Sequence, residues 1–341
     1  VGAVEDARPD RWGERVIEVI EKPARRSLME YLLFAGHERF GAFSVSTSDQ
    51  EYAPYAVNAL PGLQDVDELQ RLVRLVAANE PVPVAKQRLL APGTSMGGAR
   101  PKALIDIDGA AWIIKFAELG DPADAGLVEH AAMTLAAKAG IRVAPTRPIR
   151  LQDGHAVAVQ RFDRARGGAR ILTQSAFVAL RAEGSAFGYP ELAALLRRRA
   201  APALASERRR ELFRRMVFNI LIDNTDDHEK NHALMLDDRL HVDLAPAFDV
   251  LPTAQGLGYQ QMRVGAAQAD STIDNALSEA AQFGISKDAA RREAAKVARV
   301  CAGWREHFAQ AGVSARDIDY LAVFIDREFL KAQRDALVRR R

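Results

Sequence analysis

The chain has 341 residues, 48% of them hydrophobic, which is enough to build two domains with separate cores. Its single cysteine, Cys301, excludes an internal disulfide framework and is typical of proteins in the reducing cytoplasm. A formal net charge of +2 gives no overall indication of nucleic-acid binding, and the longest apolar runs fall far short of the roughly 18 residues of a membrane-spanning helix.

A loop of small residues at 94–102 is the first candidate site in chain order. Gly97 and Gly98 would let the backbone approach a ligand closely, and its N–H groups could surround a phosphate. A Gly-Gly pair is also common in plain turns, so the loop alone predicts phosphate binding only weakly.

A β-hairpin is predicted next, with strands over 103–107 and 112–116 joined by a turn at Asp108-Gly109. Lys115 lies near the end of the second strand. A kinase carries the lysine that contacts the α- and β-phosphates at this position, so we expect Lys115 to bind ATP.

A helix is predicted over 127–139, ended by Gly140, and it carries Glu129 in its first turn. In kinases a helical glutamate pairs with the strand lysine, so Glu129 would orient Lys115 as an ion pair. A third strand over 156–162 would lead, as a hinge, into a second lobe.

The run 224–231, Asn-Thr-Asp-Asp-His-Glu-Lys-Asn, is the strongest indication of chemistry, and Asp249 follows it eighteen residues later. Asp226 and Asn231 are five residues apart, as in the Asp-x-x-x-x-Asn catalytic loop of protein kinases. Asp226 would receive the hydroxyl proton. Asn231 and Asp249 would bind Mg²⁺, which prefers oxygen ligands. The run therefore predicts phosphoryl transfer from ATP.

The flanking patterns place this run between a helix over 210–222 and a hairpin with strands over 233–236 and 240–244. That order is the one found in a kinase C-lobe. Further helices are predicted over 287–301 and 315–330. We expect five aromatic residues in this region to fill a core: Trp304, Phe308, Tyr320, Phe324 and Phe329.

Two other interpretations of the run exist. His228-Glu229-x-x-His232 matches the zinc signature of metalloproteases, which requires a helix to bring both imidazoles together. The segment contains Asn and runs directly into a hairpin pattern, so we do not favour a zinc site. The Asp/Asn cluster could also be only a polar turn that caps a helix.

Eight arginines lie between residues 197 and 215. We interpret them as a solvated helical face with Glu191, Glu207 and Glu211 nearby. A nucleic-acid-binding patch is the alternative, but no aromatic residues are interleaved and no recognition helix is evident.

Together these motifs resemble the HipA-like serine/threonine kinases, toxins of type II toxin-antitoxin modules. The resemblance rests on Ser95-x-Gly-Gly-Ala-x-Pro-Lys102, Ile114-Lys115-Phe116, Glu129, Gln160-Arg161-Phe162-Asp163-Arg164, Asn224 to Asn231 and Leu244 to Asp249. Less specific matches are Pro9 to Gly13 and Phe40 to Ser44.

The resemblance implies an α+β, protein-kinase-like, two-lobed fold, with a β-rich N-lobe over 1–163 and a mostly α-helical C-lobe over 164–341. It implies that ATP contacts Met96, Gly97, Gly98, Ala99, Lys115, Gln160, Arg161, Phe162, His228, Lys230, Asn231 and Asp249. Ser95 matches the serine that family members autophosphorylate, which ejects the phosphate loop and silences the enzyme. Because the Pro-Asp-Arg-Trp-Gly segment comes within the first residues, we expect part of the family's N-terminal β-rich subdomain to be missing.

The implied acceptor is a serine or threonine of a protein, with aminoacyl-tRNA synthetases as a target class. The implied partner is a DNA-binding, HipB-like antitoxin, through which operator DNA is reached only indirectly; no membrane is involved. A corepressor without turnover is an alternative. So is a lipid or small-molecule kinase, since Asp-x-His-x-x-Asn also resembles lipid-kinase loops. Asp227, beside the metal ligands, is expected to be solvated or to support the site indirectly.

Overall fold

The computed structural model describes residues 2–91 and 98–339, which form two compact units. The first unit combines residues up to Asp121 with Pro145–Gln174, and the second combines Pro122–Ala144 with the residues from Ser175 onward. The sequence predicted a single boundary after residue 163. The structure instead interleaves the units, because the segment that contains Glu129 groups with the C-terminal part of the chain.

The first unit begins with helices. They are α1 (Gly2–Ala7), α2 (Arg11–Ile20), α3 (Leu28–Phe34), α4 (Val66–Ala77) and α5 (Gln87–Leu90). Asp10 caps α2 by accepting the Arg11 backbone N–H at 2.9 Å, and Ser27 and Glu30 form a capping box at the start of α3. Strand structure in the described part of this unit begins only at Lys102.

A four-stranded antiparallel sheet follows, with strand order β1-β2-β4-β3. Its strands are β1 (Lys102–Ile107), β2 (Ala110–Lys115), β3 (Thr146–Arg150) and β4 (His155–Gln160). The predicted hairpin is confirmed, and its turn residues have the positive φ angles that the Asp-Gly pair supports: 55° at Asp108 and 76° at Gly109. The predicted third strand is β4 and lies next to β2.

The core of the first unit lies between this sheet and helices α2 and α4. Leu69, Leu72 and Val76 recur at helical spacing on α4 and are fully buried against Ile105 and Ile114 of the sheet. Each such side chain contributes about 1.5–3 kcal/mol through burial. The indole of Trp12 also donates to the Lys102 carbonyl at 2.8 Å, which attaches α2 to the start of β1.

The second unit is mainly helical. Its helices are α6 (Ala125–Lys138), α7 (Ala176–Ala182), α8 (Tyr189–Arg199), α9 (Pro202–Leu221), α10 (Ile273–Ser278), α11 (Lys287–Ala302), α12 (Trp304–Gln310), α13 (Ala315–Ile325) and α14 (Glu328–Arg339). Strand β5 (Thr173–Ser175) spans the sequence junction of the two units, and β6 (Ala233–Leu236) pairs with β7 (Val242–Leu244) as the predicted hairpin. No helix among residues 2–91 and 98–339 is both long and apolar enough to cross a membrane.

Helix α9 is the predicted helix before the polar run, extended toward its N-terminus. Its last turns, which include Phe213, Val217 and Ile220, are fully buried. The helix ends at Leu221, and Asp223 then adopts a left-handed φ of 59°, which turns the chain into the polar run.

The C-terminal prediction was partly wrong. The helix predicted over 315–330 is two helices, α13 and α14, separated at Asp326. The Asp326 carboxylate accepts the Trp304 indole N–H at 3.1 Å and an Arg305 N–H at 2.7 Å, so distant residues stabilise the break. Trp304 and Phe308 are buried as predicted, whereas Phe329 is 51% exposed and does not belong to the core.

His307 connects α12 to α6. Its Nε2 lies 2.9 Å from the Thr134 hydroxyl, which itself donates to the His130 carbonyl, and its Nδ1 lies 2.9 Å from Lys138 Nζ. This arrangement requires a neutral ring, with Nε2 as donor and Nδ1 as acceptor. Burial first, and the Lys138 charge second, lower the pKa of His307.

The pKa shift predicts a pH-dependent stability. The unfolded chain, with an imidazole pKa of about 6.5, binds this proton more readily than the folded chain. The contribution of His307 is therefore present above that pH and is lost as the pH falls through the lower folded-state pKa. We expect urea denaturation to show less pH dependence between about pH 7 and about pH 5 in His307→Gln than in the parent. His241→Gln, at a more exposed histidine, is the control, and equal slopes in His307→Gln and the parent would contradict the assignment.

Candidate active site

The loop between α9 and β6 places two neighbouring carboxylates in opposite environments. Asp226 is exposed, whereas Asp227 is 2% exposed. The solvated position considered for Asp227 was therefore wrong, and its supporting role remains. Asp226 is left at the surface.

Asp227 is buried with two hydrogen-bond donors. The Tyr189 hydroxyl, in the first turn of α8, donates to its Oδ2, and His232 Nε2 donates to the same oxygen at 2.8 Å. Burial by itself would raise the pKa of Asp227, but His232 and the Tyr189 hydroxyl outweigh it and hold that pKa below its usual value. Burial and the Asp227 charge raise the pKa of Tyr189 well above its usual value. Asp227 is thus an ionised carboxylate in the protein interior.

The same hydrogen bonds continue to the start of the loop. Asn219 of α9 donates its amide to the Tyr189 hydroxyl at 3.3 Å, and Asn224 donates to the Asn219 side-chain oxygen at 3.1 Å. We call the five residues Asn224, Asn219, Tyr189, Asp227 and His232 the polar chain. It connects both ends of the loop to helices α8 and α9, because Asn224 begins the loop and His232 ends it.

A small cavity shows that the loop and the Asp249 segment meet. The cavity has a volume of about 10 Å³, and its lining includes Asp227, Asn231 and His232 of the loop together with Phe248 and Val250, which flank Asp249. This space is about that of one water molecule and is far too small for a nucleotide. The structure therefore brings Asn231 close to the segment that contains Asp249, on the buried side of the loop.

Asp249 is held by a short bridge and by an unusual backbone conformation. Ala247 accepts the Ala144 N–H at 2.8 Å and donates to the Arg142 carbonyl at 2.7 Å, which attaches the segment to the chain that follows α6. Asp249 then has a φ of 58°, in the left-handed region that non-glycine residues seldom adopt. Such strain costs about 1–3 kcal/mol and persists where the surrounding contacts hold it.

A second buried aspartate connects the loop to the segment that follows Asp249. The Asp223 carboxylate is fully buried, lies 2.7 Å from Arg327 Nη1 and accepts the Gly256 N–H at 3.2 Å. Its carbonyl accepts both the backbone N–H and the hydroxyl of Thr253, at 3.0 and 2.9 Å. The Thr253 hydroxyl also lies 2.7 Å from that of Thr225, next to Asp226. Burial raises the pKa of Asp223, and the Arg327 charge opposes that rise.

The zinc interpretation is contradicted. Residues Glu229–Asn231 form a single 3₁₀ turn, not an α-helix, and His228 before it has an extended backbone. His232 Nε2 is bonded to Asp227, so the two imidazoles do not share a helical face. Within the described ranges, no group of three or more His, Cys, Asp or Glu side chains is arranged to hold a metal.

The described residues that were predicted to contact phosphate, Gly98, Ala99 and Lys115, lie in the first unit. Lys115 is the last residue of β2, opposite Lys102 of β1. Gly98 has a φ of 100° and donates its N–H to Asp10 at 2.9 Å, and a Cβ at this position would collide with the Lys102 ammonium group. Ala99 next to it is exposed. Ser95, Met96 and Gly97 lie outside the described residues.

Arg161 has a structural role that the sequence did not indicate. Its side chain is buried and donates to Asp163 and to Glu38, the latter at 2.9 Å, while Arg164 also donates to Asp163 at 3.0 Å. Asp163 accepts the Gly41 N–H at 2.7 Å, which accounts for the Phe-Gly-Ala motif near the N-terminus. Burial alone would raise the pKa of Asp163, but both arginines outweigh it and hold that pKa below its usual value.

The remaining predicted residues have mixed environments. Glu129 is 4% exposed on α6, and its pairing with Lys115 stays a prediction. Lys230 is exposed, with Nζ 5.5 Å from the centre of the Phe177 ring, and His228 is half-buried. Phe162 packs edge-on against Phe40 at 6.3 Å.

The arginine cluster is only partly a solvated face. Arg215 is buried, pairs with Glu211 and donates to the Ala245 carbonyl at 2.6 Å. Arg208 pairs with Asp243, and Arg214 with Glu207 at 2.6 Å. These arginines are ion-pair partners. The sequence interpretation named Glu207 and Glu211 only as neighbours on a solvated face, because neither the burial of Arg215 nor the pairing of Arg208 with Asp243, 35 residues later, is evident locally.

The Asp163 cluster supports a stability prediction. Replacing Asp163 by Ala would leave two buried guanidinium groups with the partly exposed Glu38 in place of a buried carboxylate, so we expect the free energy of unfolding to fall by about 3 kcal/mol. Urea denaturation followed by circular dichroism measures this loss. Asp153→Ala, which removes an exposed pair with Arg74 in the same unit, is the control and should change stability by less than about 1 kcal/mol. Similar midpoints for both variants would disprove the role of Asp163.

Comparison with known proteins identifies the family to which the chain belongs. The model of the HipA-like C-terminal domain matches residues 94–304, which is more than half of the chain. The chain belongs to the HipA-like C-terminal domain family. A search of the curated proteins finds no significant match.

Solved structures of HipA-like and kinase proteins share the fold. A chain of the toxin-antitoxin complex of HipA, HipB and operator DNA from Shewanella oneidensis MR-1 matches with a TM-score of 0.65 at 17% identity, over 95% of this chain and 81% of that one. The proinflammatory kinase CtkA from Helicobacter pylori matches with a TM-score of 0.50 at 12% identity, over 72% of this chain and 95% of that one. The α+β, kinase-like fold predicted for this HipA-like protein is therefore confirmed.

Proposed function

We propose that this protein is an ATP- and Mg²⁺-dependent kinase that transfers the γ-phosphate to a serine or threonine of a protein. The observation that carries the proposal is the cavity bordered by Asp227, Asn231 and the neighbours of Asp249. The cavity brings Asn231 and the Asp249 segment together beside Asp227, which directly follows Asp226. This supports one site for a base and two metal ligands in a chain of the HipA-like family.

The donor set fits Mg²⁺ bound with a nucleotide. Asn231 contributes an amide oxygen and Asp249 a carboxylate, both of them hard ligands. The Asn231 amide nitrogen lies 3.5 Å from the Asp226 carbonyl, which leaves the side-chain oxygen to face a metal. Mg²⁺ usually takes one or two protein carboxylates or amides and completes its shell with phosphates and water. When bound, it would neutralise charge that develops on the transferring phosphate.

Each protein residue of the site would then have its own role in phosphoryl transfer. Asp226 would accept the hydroxyl proton of the acceptor and orient the oxygen for in-line attack. Lys115 would contact the phosphates and Glu129 would orient it, as parts of an N-lobe and a C-lobe. The loop residues Met96, Gly97, Gly98 and Ala99 would surround the phosphates. His228 and Lys230 would border the nucleotide.

The backbone hydrogen bonds of Gln160 and Arg161 restrict how these residues could contact adenine. The backbone N–H groups of Gln160 and Arg161 already donate to the carbonyls of Pro145 and Ala111, at 2.9 and 3.0 Å. Contacts from these two residues to adenine would therefore use their carbonyl groups, with Phe162 adjoining. The Arg161 side chain is committed to Asp163 and Glu38 and would not reach the base.

The cellular role that we propose is that of a toxin neutralised by a HipB-like, DNA-binding antitoxin. The support is family membership and the likeness to a chain solved with HipB and operator DNA. Aminoacyl-tRNA synthetases are a candidate acceptor class. Autophosphorylation at Ser95 would add a double negative charge to the phosphate loop and switch the enzyme off.

Incubation of the purified protein with Mg²⁺ and γ-labelled ATP tests the proposal. We expect label on the parent protein, located at Ser95 by mass spectrometry, because autophosphorylation needs no other acceptor. Asp226→Asn and Asp249→Asn should each lose at least about 100-fold in initial rate, since each removes a group that acts on the transferring phosphate or the hydroxyl.

Asp238→Asn, on the exposed turn between β6 and β7, removes a carboxylate of the same unit outside the site and should keep the parent rate. Phosphatase treatment beforehand clears any Ser95 that is already modified. If the treated parent neither binds ATP nor incorporates label, the kinase assignment is disproved. If Asp226→Asn labels as fast as the parent, Asp226 is not the base.

A further inference from the structure

We propose that Asp227 and His232 are positioning residues whose bond across the loop sets the separation of Asp226 and Asn231. This inference rests on the proposed kinase function. Asp226 directly precedes Asp227, and Asn231 directly precedes His232. Consecutive Cα atoms are about 3.8 Å apart, so a bond between the second members of the two pairs restricts the distance between the first members.

This bond crosses a loop that has little regular structure. Residues 224–228 lack regular structure, and Glu229–Asn231 form one short 3₁₀ turn. Within the loop, Asn231 donates its backbone N–H to the His228 carbonyl at 2.9 Å and makes the long 3.5 Å contact with the Asp226 carbonyl. The bond of 2.8 Å from His232 to Asp227 is the shortest of these contacts, and both of its side chains are 2–3% exposed.

The polar chain connects Asp227 and His232 to two packed helices. Tyr189 lies at the start of α8 and Asn219 in the buried last part of α9, so the Asp227 carboxylate is bound to two packed helices. A site residue held by locked neighbours keeps its geometry more accurately than one on a free loop. Because Asp227 faces inward while Asp226 is exposed, the same contacts that bury one carboxylate present the other to the acceptor.

The polar chain should therefore affect the catalytic step and the metal, not acceptor binding. A misplacement of about 1 Å costs up to about 100-fold in rate, and loss of a supporting contact costs a metal site about 10- to 100-fold in affinity. We expect Asp227→Ala to lower kcat about 100-fold and to raise the Mg²⁺ concentration for half-maximal rate about 10-fold, with the KM for the protein acceptor unchanged.

Two milder substitutions should produce smaller losses in kcat than Asp227→Ala. Tyr189→Phe removes one of the two donors to Asp227 and leaves His232, so we expect a loss of only about 10-fold in kcat. Asp227→Asn keeps a side-chain oxygen that can accept from both the Tyr189 hydroxyl and His232 Nε2, which donate to the same oxygen of Asp227. It should recover part of the activity that Asp227→Ala loses.

A second readout does not depend on turnover. Mn²⁺ binding in the presence of a non-hydrolysable ATP analogue, followed by electron paramagnetic resonance, should weaken about 10-fold in Asp227→Ala. Asp237→Ala is the matched control, because it removes an exposed Asp-His pair, 3.1 Å apart, from the β6–β7 turn of the same unit. It should leave kcat, the Mg²⁺ response and Mn²⁺ binding at parent values.

The outcomes separate this inference from the proposed function. A parent without phosphoryl transfer overturns both. An active parent together with a folded Asp227→Ala that keeps parent kcat and Mn²⁺ binding overturns the positioning role alone. If thermal melting shows Asp227→Ala to be unfolded, the same measurements are made on Tyr189→Phe and His232→Asn. Partial losses in kcat and in Mn²⁺ binding would support the positioning role. Parent values of both would reject it.

Discussion

A buried negative charge is the constraint on which the site depends. A carboxylate removed from water is tolerated only when hydrogen-bond donors surround it, and Asp227 has two, from Tyr189 and His232. These donors come from α8 and from the last residue of the loop, so the carboxylate can be satisfied only when the loop has folded back against the helices. The geometry of the polar run therefore follows from satisfying Asp227 rather than from the local backbone preferences of its residues.

The site combines this satisfied interior with strained backbone at its edges. Asp223, before the polar run, and Asp249, after the hairpin, both adopt left-handed conformations, which non-glycine residues seldom adopt even though Asp tolerates them better than most. Asp223 is held there by Arg327 and Gly256, and the Asp249 segment by the bridge at Ala247. Strain supported by distant contacts is typical of sites in which a side chain must point in one direction.

The sequence predicted those parts of the structure that depend on neighbours along the chain. The Asp108-Gly109 turn, the helix before the polar run and the β6–β7 hairpin were correct because turn residues and apolar periodicity determine them locally. The break at Asp326 was missed because Trp304 and Arg305, about twenty residues away, stabilise it. The burial of Asp227 was missed for the same reason. Its partner Tyr189 lies 38 residues earlier and carries no local motif.

The ion pair of Asp223 with Arg327 bears on where this unit ends. The matched family region stops at residue 304, whereas Arg327 lies beyond it, between α13 and α14. A shortened protein that ended at the family boundary would retain the fully buried Asp223 but lose its counter-ion, together with the acceptor of the Trp304 indole at Asp326. An uncompensated buried carboxylate directly before the polar run would disturb that run. The last two helices are therefore integral to the mainly helical unit, whose structural boundary lies beyond the boundary that family similarity marks.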